Sequence, residues 1–558
     1  MQTLAWSLIW KCPRARKFDY LGVVYGSNIV IICQPRMSTS DRFFRTHAGL
    51  QLGLTLPALN VLPVKNTKTS PLSQWPGANL QNIYLALKLQ FRAAVQRQQL
   101  SLWGWKMIPK MSGFDWRVSG KSMAIQRLAG VAAMVLLIGE PVLAQNMVSD
   151  RQEIEQLAAT QEPKLIAWRR DIHQHPELGN REFRTAKLVA EHLISLGLEV
   201  KTGVAHTGVV GLLKGALPGP VIALRADMDA LPVTEETDFP FSSKVKTTWM
   251  GQEVGAAHVC GHDAHTAILM GVAEILASKR NQLHGTVKFI FQPAEEGMPP
   301  GEEGGAELMV KEGVLNDPRP DAIFGLHVNS RTPLGRAGYR SGPMMASGDD
   351  LKITIRGKQT HAALPWLGVD PIVIASQVVL GLQTIESRQV NILMEPSLIT
   401  IGAIKGGNRA NIIPDSVELL GIIRTFDEGM RKDIHRRIAE TAKGIAGGAG
   451  ASADVKITPQ YDVMSNDEKL AEFGGRSLRA TLGDKQVFQN PKVTVSEDFS
   501  AYQKVVPGFF FFLGVVPEGT QPANVFPNHS PKFWIDERVL KVGVIALTNL
   551  ALDYLSAK

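Results

Sequence analysis

Four short apolar runs, Val221–Leu224, Val287–Phe291, Ala322–Leu326 and Phe509–Leu513, constrain this chain more than any other feature. Runs this continuous fit strands buried on both faces of a parallel or mixed sheet. Each runs on into polar residues of one chemical kind. The first leads to Asp227-Met228-Asp229, the second to Glu295-Glu296, and the third to His327. His529 follows the fourth, and the segment from His258 to His265 precedes a strongly apolar helical pattern over 264–279. In open α/β sheets, ligands bind beyond the carboxyl ends of the strands. The pattern predicts an α/β domain with its chemistry at that edge.

Residues 152–174 and 182–196 read as helices, the second with Phe183, Ala186, Ala190, Leu193 and Ile194 on one face. Residues 349–458 have a different rhythm. Leu351, Ile353 and Ile355 alternate as in a half-buried strand, and helices are expected over 371–388 and 429–446. Strands are expected over 397–404, 416–425 and 453–458, with the turn cluster Gly406-Gly407-Asn408 between the first two. The order is β-α-β-β-α-β, the ferredoxin-like unit. The expected organisation is a mixed-sheet domain in two parts, 145–346 and 461–558, with the smaller unit inserted at 347–460.

The formal charge of +8 over 558 residues is unevenly placed. Residues 1–122 hold 16 Lys and Arg against 3 acids, leaving 44 basic and 49 acidic residues in the rest. A nucleic-acid footprint needs a basic face on the folded domain, so no nucleic-acid partner is expected. The leader shows little sustained period. Met123–Arg127, the 11-residue apolar run Leu128–Ile138 and the Val142-Leu143-Ala144 end have the parts of a secretory signal peptide. The expectation is translation from Met111 or Met123, cleavage near Ala144, and a periplasmic or secreted product. The rival is a genuine basic extension. No apolar run reaches the ~20 residues of a membrane span. Beyond the leader the one cysteine is Cys260.

Thiolate, imidazole and carboxylate are the ligands of Zn²⁺ and its neighbours. Cys260 and His262, one residue apart, can be aimed at one ion by a single turn. Alone, a Cys is more often a small buried hydrophobe, and adjacent Glu residues are commonly solvated. The joint pattern at the strand ends argues otherwise, and HExxH, CxxC, GxSxG and P-loop motifs are absent.

The segments LRADMDALP (224–232), HVCGHDAHTA (258–267), QPAEEG (292–297), FGLHV (324–328), GKQTHAALP (357–365), RTFD (424–427), SEDFS (496–500) and NHSP (528–531) resemble the M20 metallopeptidase and amidohydrolase family. They are most like the branch of hippurate hydrolase, N-acyl-amino-acid amidohydrolases and plant auxin-conjugate hydrolases. The resemblance covers about 152–558. It implies hydrolysis of an amide between an acyl group and an amino acid, with one or two divalent ions (Zn, Mn, Co or Ni) per subunit. It also implies a homodimer formed through the inserted domain. Carried over by position, it makes Cys260, His262, Glu296, His327 and His529 the metal ligands and Glu295 the general base. Asp229 would orient a ligand, and His361 would reach a substrate oxygen, in the same or the partner subunit. Asn411 and Arg424 would meet the substrate carboxylate. Asp227 stands where other branches carry a His ligand and is not assigned to metal. Trp366 and Gln359-Thr360 depart from the pattern, which bears on substrate preference.

The expected function is a metal-dependent amidohydrolase acting on N-acyl amino acids or small peptides. A dipeptidase or carboxypeptidase of the same fold is the nearest alternative. A catalytically dead peptide- or conjugate-binding relative would have lost a ligand or the base, and all six positions are filled.

Overall fold

The computed structural model describes residues 150–557 and, nearer the N-terminus, the strands Ser7–Trp10, Phe18–Tyr25 and Asn28–Pro35. These three pair antiparallel in sequence order, although the leader shows little sustained period. The overlooked signal is Gly26-Ser27 between two β-rich runs, a two-residue hairpin signature. The signal-like segment 123–144 lies outside the described residues.

A mixed sheet of eight strands carries the larger layer. Across it lie Val487–Gln489, Ala337–Tyr339, Gly508–Val516, Ala322–Pro333, Leu217–Asp227, His284–Gln292, Gly208–Lys214 and Glu199–Val204. The four apolar runs supply the central strands, which are mutually parallel. Their carboxyl ends therefore open on one edge. Gly508–Val516 is buried at every position, as a strand covered on both faces must be. The outer strands Gly208–Lys214 and Glu199–Val204 run antiparallel.

The expected helices form over 150–174 and Phe183–Ser195. The third, His262–Ser278, is buried along almost its whole length between the sheet and Arg538–Ser556. Among the described residues Arg538–Ser556 is the one helix long and apolar enough to cross a membrane by length and composition, and about two-thirds of it is buried inside the domain. A core position accounts for its apolar character.

Residues 348–461 follow the expected β-α-β-β-α-β order. The sheet runs Ser397–Lys405, Ser416–Thr425, Gly348–Arg356, Ser452–Tyr461, antiparallel throughout. Its helices, Pro371–Arg388 and Glu428–Gly448, start at Asp370 and Asp427, whose carboxylates accept from Ile372 and Met430 N–H. Such caps satisfy donors that helix geometry leaves unpaired. This segment has its own apolar core, with Ile353, Val378, Leu419 and Ile438 fully buried in it or nearly so.

Candidate metal centre and its cleft

The polar strand ends converge. Leu217–Asp227 delivers Asp227 and, two residues on, Asp229, while His284–Gln292 leads to Glu295 and Glu296. Ala322–Pro333 carries His327. Cys260 and His262 flank Gly261, which begins the helix His262–Ser278 at φ 108°. A Cβ at Gly261 would stand 2.3 Å from Val328 Cγ2. Only glycine therefore allows the turn that points both neighbours inward. His529 also adopts a left-handed backbone, φ 71°, pinned by its N–H bond to the Val259 carbonyl. Ala294, directly before the glutamate pair, is left-handed too.

Cys260 Sγ lies 3.3 Å from both His327 Nε2 and His529 Nε2. His529 Nε2 is 2.8 Å from Glu296 Oε1, yet that oxygen has no aligned hydrogen bond. His262 Nε2 is buried without a partner. Donor atoms of Cys260, His262 and His327 fall within 4.8 Å of one another, as do those of Cys260, Glu296 and His529, and of His262, Glu295 and Glu296. Donor atoms this close, with His262 Nε2 and Glu296 Oε1 left without hydrogen-bond partners, are what a cation binding site requires. The S, N and O donor set suits Zn²⁺, Mn²⁺, Co²⁺ or Ni²⁺. The chain thus carries the donors for one or two divalent ions.

The surrounding charge agrees. Arg225 is fully buried and meets three carboxylates, Asp227 at 2.6 Å, Asp498 at 2.9 Å and Glu497 at 3.0 Å. Burial, then Glu497 and Glu296, hold the Glu295 carboxyl well above the usual range. Burial alone would lower His262, but Asp227 and Asp229 push it up to about 10. Burial and the nearby Glu296 and Glu295 raise the Cys260 thiol. An ion in this excess of negative charge reverses that logic and holds the thiol deprotonated.

Asp229 sits where an orienting carboxylate belongs. Its Oδ1 is 3.2 Å from His262 Nδ1, and its Oδ2 accepts the Glu296 N–H at 2.9 Å. That leaves His262 Nε2 free to face the cluster. His265, unassigned from sequence, is fixed between Asp227 Oδ1 at 2.6 Å and the Val328 N–H at 2.9 Å. Its position three residues after His262 on one helix was the signal available. Tyr461 was also missed. Its hydroxyl donates to the Glu295 carbonyl at 2.9 Å, from 166 residues away.

A cleft of about 530 Å³ opens on the cluster and is lined by Cys260, Glu295, Glu296, His327 and His529. Among the other expected residues, His262 and Asp229 are buried behind it and the three of the inserted segment do not line it. His361 pairs with Ile412 on a two-stranded ribbon of the inserted segment and is exposed. Asn411 is also exposed, its carbonyl accepting from Ala362 N–H. Arg424 is tied by Nη1 to Ser496 Oγ at 3.0 Å. His361 and Asn411 lie on or beside the exposed ribbon of the inserted segment, whereas Arg424 is half-buried on the strand Ser416–Thr425 with its guanidinium on Ser496, itself a lining residue of the cleft.

Fold and site together define a metal-dependent hydrolase of the α/β class. Residues 223–553 match the model of peptidase family M20/M25/M40. Thermostable carboxypeptidase 1 of Saccharolobus solfataricus is 40% identical over 74% of this chain and 99% of its own length. N-acetylcysteine deacetylase of Bacillus subtilis is 39% identical over 70% and 96%. IAA-amino acid hydrolase ILR1-like 2 of Arabidopsis thaliana is 35% identical over 78% and 97%. Among solved structures, the Bacillus subtilis YXEP protein, described as a dinuclear metal binding peptidase, aligns with TM-score 0.60 and 36% identity over 72% of this chain and all of its own. This chain belongs to the M20 peptidase family and is a hydrolase.

Proposed function

We propose that this protein hydrolyses the amide bond between an acyl group and an amino acid. The observation that carries the reading is the convergence of five donor side chains beside the buried carboxylate of Glu295 at the strand-end edge, four of them lining one cleft and His262 buried behind it. Cys260, His262, Glu296, His327 and His529 hold the metal. A divalent ion there supplies Lewis acidity, which polarises the amide carbonyl and acidifies water. Glu295 takes the water proton as the oxygen attacks the carbonyl carbon, and gives it to the departing nitrogen as the C–N bond breaks. Asp229 orients His262.

His361 supplies the imidazole for the tetrahedral oxyanion from a second subunit, which is consistent with its exposed place on the outward ribbon. Leu393, Leu380 and Ile404 of the inserted segment are 92%, 70% and 57% exposed, and large apolar side chains left exposed within one segment fit a subunit interface. The segment 123–144 directs export, and a mature N-terminus close to Gln145 on host-purified protein checks this.

The relatives' names, a carboxypeptidase, an N-acetylcysteine deacetylase and an IAA-amino acid hydrolase, share one chemistry: an amide whose nitrogen belongs to an amino acid. The 40% identity to a carboxypeptidase keeps peptides as a second substrate class. A screen of N-acyl amino acids against dipeptides, with Zn²⁺, Mn²⁺, Co²⁺ and Ni²⁺ supplied separately, decides between them. Turnover of neither class with any metal rejects the reading.

A further inference from the structure

A bound ion fixes its own ligands, but Glu295 is not among them, so the base keeps its place through its backbone. That backbone leaves the strand His284–Gln292 at Pro293, which has no N–H to offer. It then turns at Ala294, whose φ of 52° is left-handed. A residue with a Cβ stays in that region only where its surroundings hold it there. The peptide between Glu295 and Glu296 is gripped on both sides, its carbonyl by the Tyr461 hydroxyl and its N–H by Asp229. The turn before it depends on the Ala294 N–H.

That N–H donates to Glu182 Oε1 at 2.8 Å, from 112 residues away. Glu182 is fully buried. Its Oε1 also accepts from the Asn180 N–H at 3.2 Å, and its Oε2 accepts from the Thr207 hydroxyl. Glu182 occupies the N-cap position of the helix Phe183–Ser195, where a side-chain oxygen ordinarily accepts from the first turn, yet its side chain makes no capping bond. The carboxylate is directed to the Ala294 turn instead of its own helix.

The residues before Glu182 grip the same loop farther on. A Cβ at Gly179 would stand 2.0 Å from the Gly297 carbonyl oxygen, so the two backbones touch. Asn180, buried and left-handed at φ 59°, donates by Nδ2 to the Glu303 carbonyl at 3.0 Å. Arg181 pairs with Glu302 at 2.6 Å. The segment 179–182 thus clasps the loop 294–303, with Glu182 at the end that carries the glutamate pair.

We propose that Glu182 is the positioning residue for the general base. It holds the Ala294 turn so that the Glu295 carboxylate faces the attacking water. The inference rests on the hydrolase reading above and adds to it a residue that touches neither substrate nor metal.

The full-length wild type is compared with Glu182→Met, which keeps the volume but removes the acceptor, and with Glu182→Gln, whose amide oxygen still accepts the Ala294 N–H. The control is Thr207→Val, which strips a hydrogen bond from the same buried carboxylate without touching the turn. On the best substrate and metal of the screen above, Glu182→Met should lose roughly 10- to 100-fold in kcat, the cost of a misplacement of about 1 Å. Its KM and metal stoichiometry should change little. Glu182→Gln should recover most of the loss, and Thr207→Val should lower Tm with kcat largely retained. Amide hydrogen exchange, read without substrate, gives a second answer: the Ala294 amide should be protected in wild type and Glu182→Gln and unprotected in Glu182→Met. Should Glu182→Met not fold, Glu182→Asp, whose carboxylate stops one methylene short of Ala294, takes its place with the same expectations. An unchanged kcat in Glu182→Met overturns the proposal and leaves the hydrolase reading intact. So does an equal loss in Glu182→Met, Glu182→Gln and Thr207→Val, which marks a defect of the fold. If the wild type turns over no substrate, the hydrolase reading falls, and unchanged protection of Ala294 in Glu182→Met then overturns the role of Glu182 separately.

Discussion

The parallel sheet and the inserted segment meet the same demand, a place for polar chemistry, in opposite ways. The sheet encloses its site. His262 is fully buried, Glu295 is 7% exposed, and Asp229 holds both His262 and the Glu296 backbone, while His529 stands exposed at the rim. The inserted segment has a finished core of its own, yet it leaves His361, Asn411 and apolar residues such as Leu393 at the surface. One region gathers its polar groups within a chain, and the other carries the residues proposed to act across subunits. Variants in the first should therefore fail within the subunit, and variants in the second should be rescued by a partner.

The largest effects belong to the buried region. Glu295→Gln should keep its metal while kcat falls at or above the top of the ~10²–10⁴-fold range of general acid–base catalysis. Glu296→Gln and Cys260→Ser should lose metal, because an amide and a hydroxyl replace charged ligands. Metal stoichiometry measured with kcat on all three separates these roles. Metal loss from Glu295→Gln with retention in Glu296→Gln would reverse the assignment of the pair.

The inserted region is tested by complementation. His361→Ala and Glu295→Gln proteins should each be nearly inactive. Mixed after mild dissociation, they should regain up to about a quarter of wild-type activity if His361 acts across subunits, since random pairing restores one intact site in half the dimers. No recovery, with mixed dimers shown by mass spectrometry, would place His361 in its own subunit's chemistry. Ile404→Lys together with Leu380→Glu should give monomers by light scattering, with activity lost in parallel.

Between the two regions lies Tyr461, at the end of the strand Ser452–Tyr461, with its hydroxyl on the Glu295 carbonyl. Tyr461→Phe removes one hydrogen bond worth about 1 kcal/mol. A several-fold loss of kcat with little change in KM is expected, since the base remains but its backbone is less firmly held.

What was legible in the sequence follows the same division. The central strands could be read because burial on both faces leaves a largely apolar run, and the helix Pro371–Arg388 because Asp370-Pro371 announces its start. The ligand set was visible as residue types at strand ends. Long-range pairings were not. Arg225 reads as an ordinary charge beside a strand, and its burial among Asp227, Glu497 and Asp498 joins segments about 270 residues apart. Tyr461 carries no local sign that its hydroxyl serves Glu295. The edge strand Glu199–Val204 lacks the continuous apolar run of the central ones and is mostly exposed. Where the inserted ribbon points is settled by packing and not by any motif within GKQTHAALP.

The smallest expected effect probes how dry the enclosed sheet is. Lys288 interrupts the apolar run Val287–Phe291, and its side chain is 1% exposed. Its ammonium donates to the Val314 and Asp317 carbonyls at 2.6 and 3.3 Å. Burial outweighs the attraction of Asp317 and lowers its pKa to about 8, from 10.5. Below pH 8 the ammonium is charged in both folded and unfolded chains, and folding bears its desolvation. Between pH 8 and 10.5 the folded chain has released the proton while the unfolded chain still holds it. The unfolded state then binds more protons, so this group's contribution to stability rises with pH across that window, by a slope on the order of 1 kcal/mol per pH unit at most. Lys288→Met removes the titration. The stability of wild type minus that of Lys288→Met, from urea unfolding at constant metal, should climb from pH 8 to 10 and stay flat from pH 6 to 7.5. A flat difference throughout would mean that water reaches Lys288, and that the sheet is less sealed from solvent than the burial of its central strands implies.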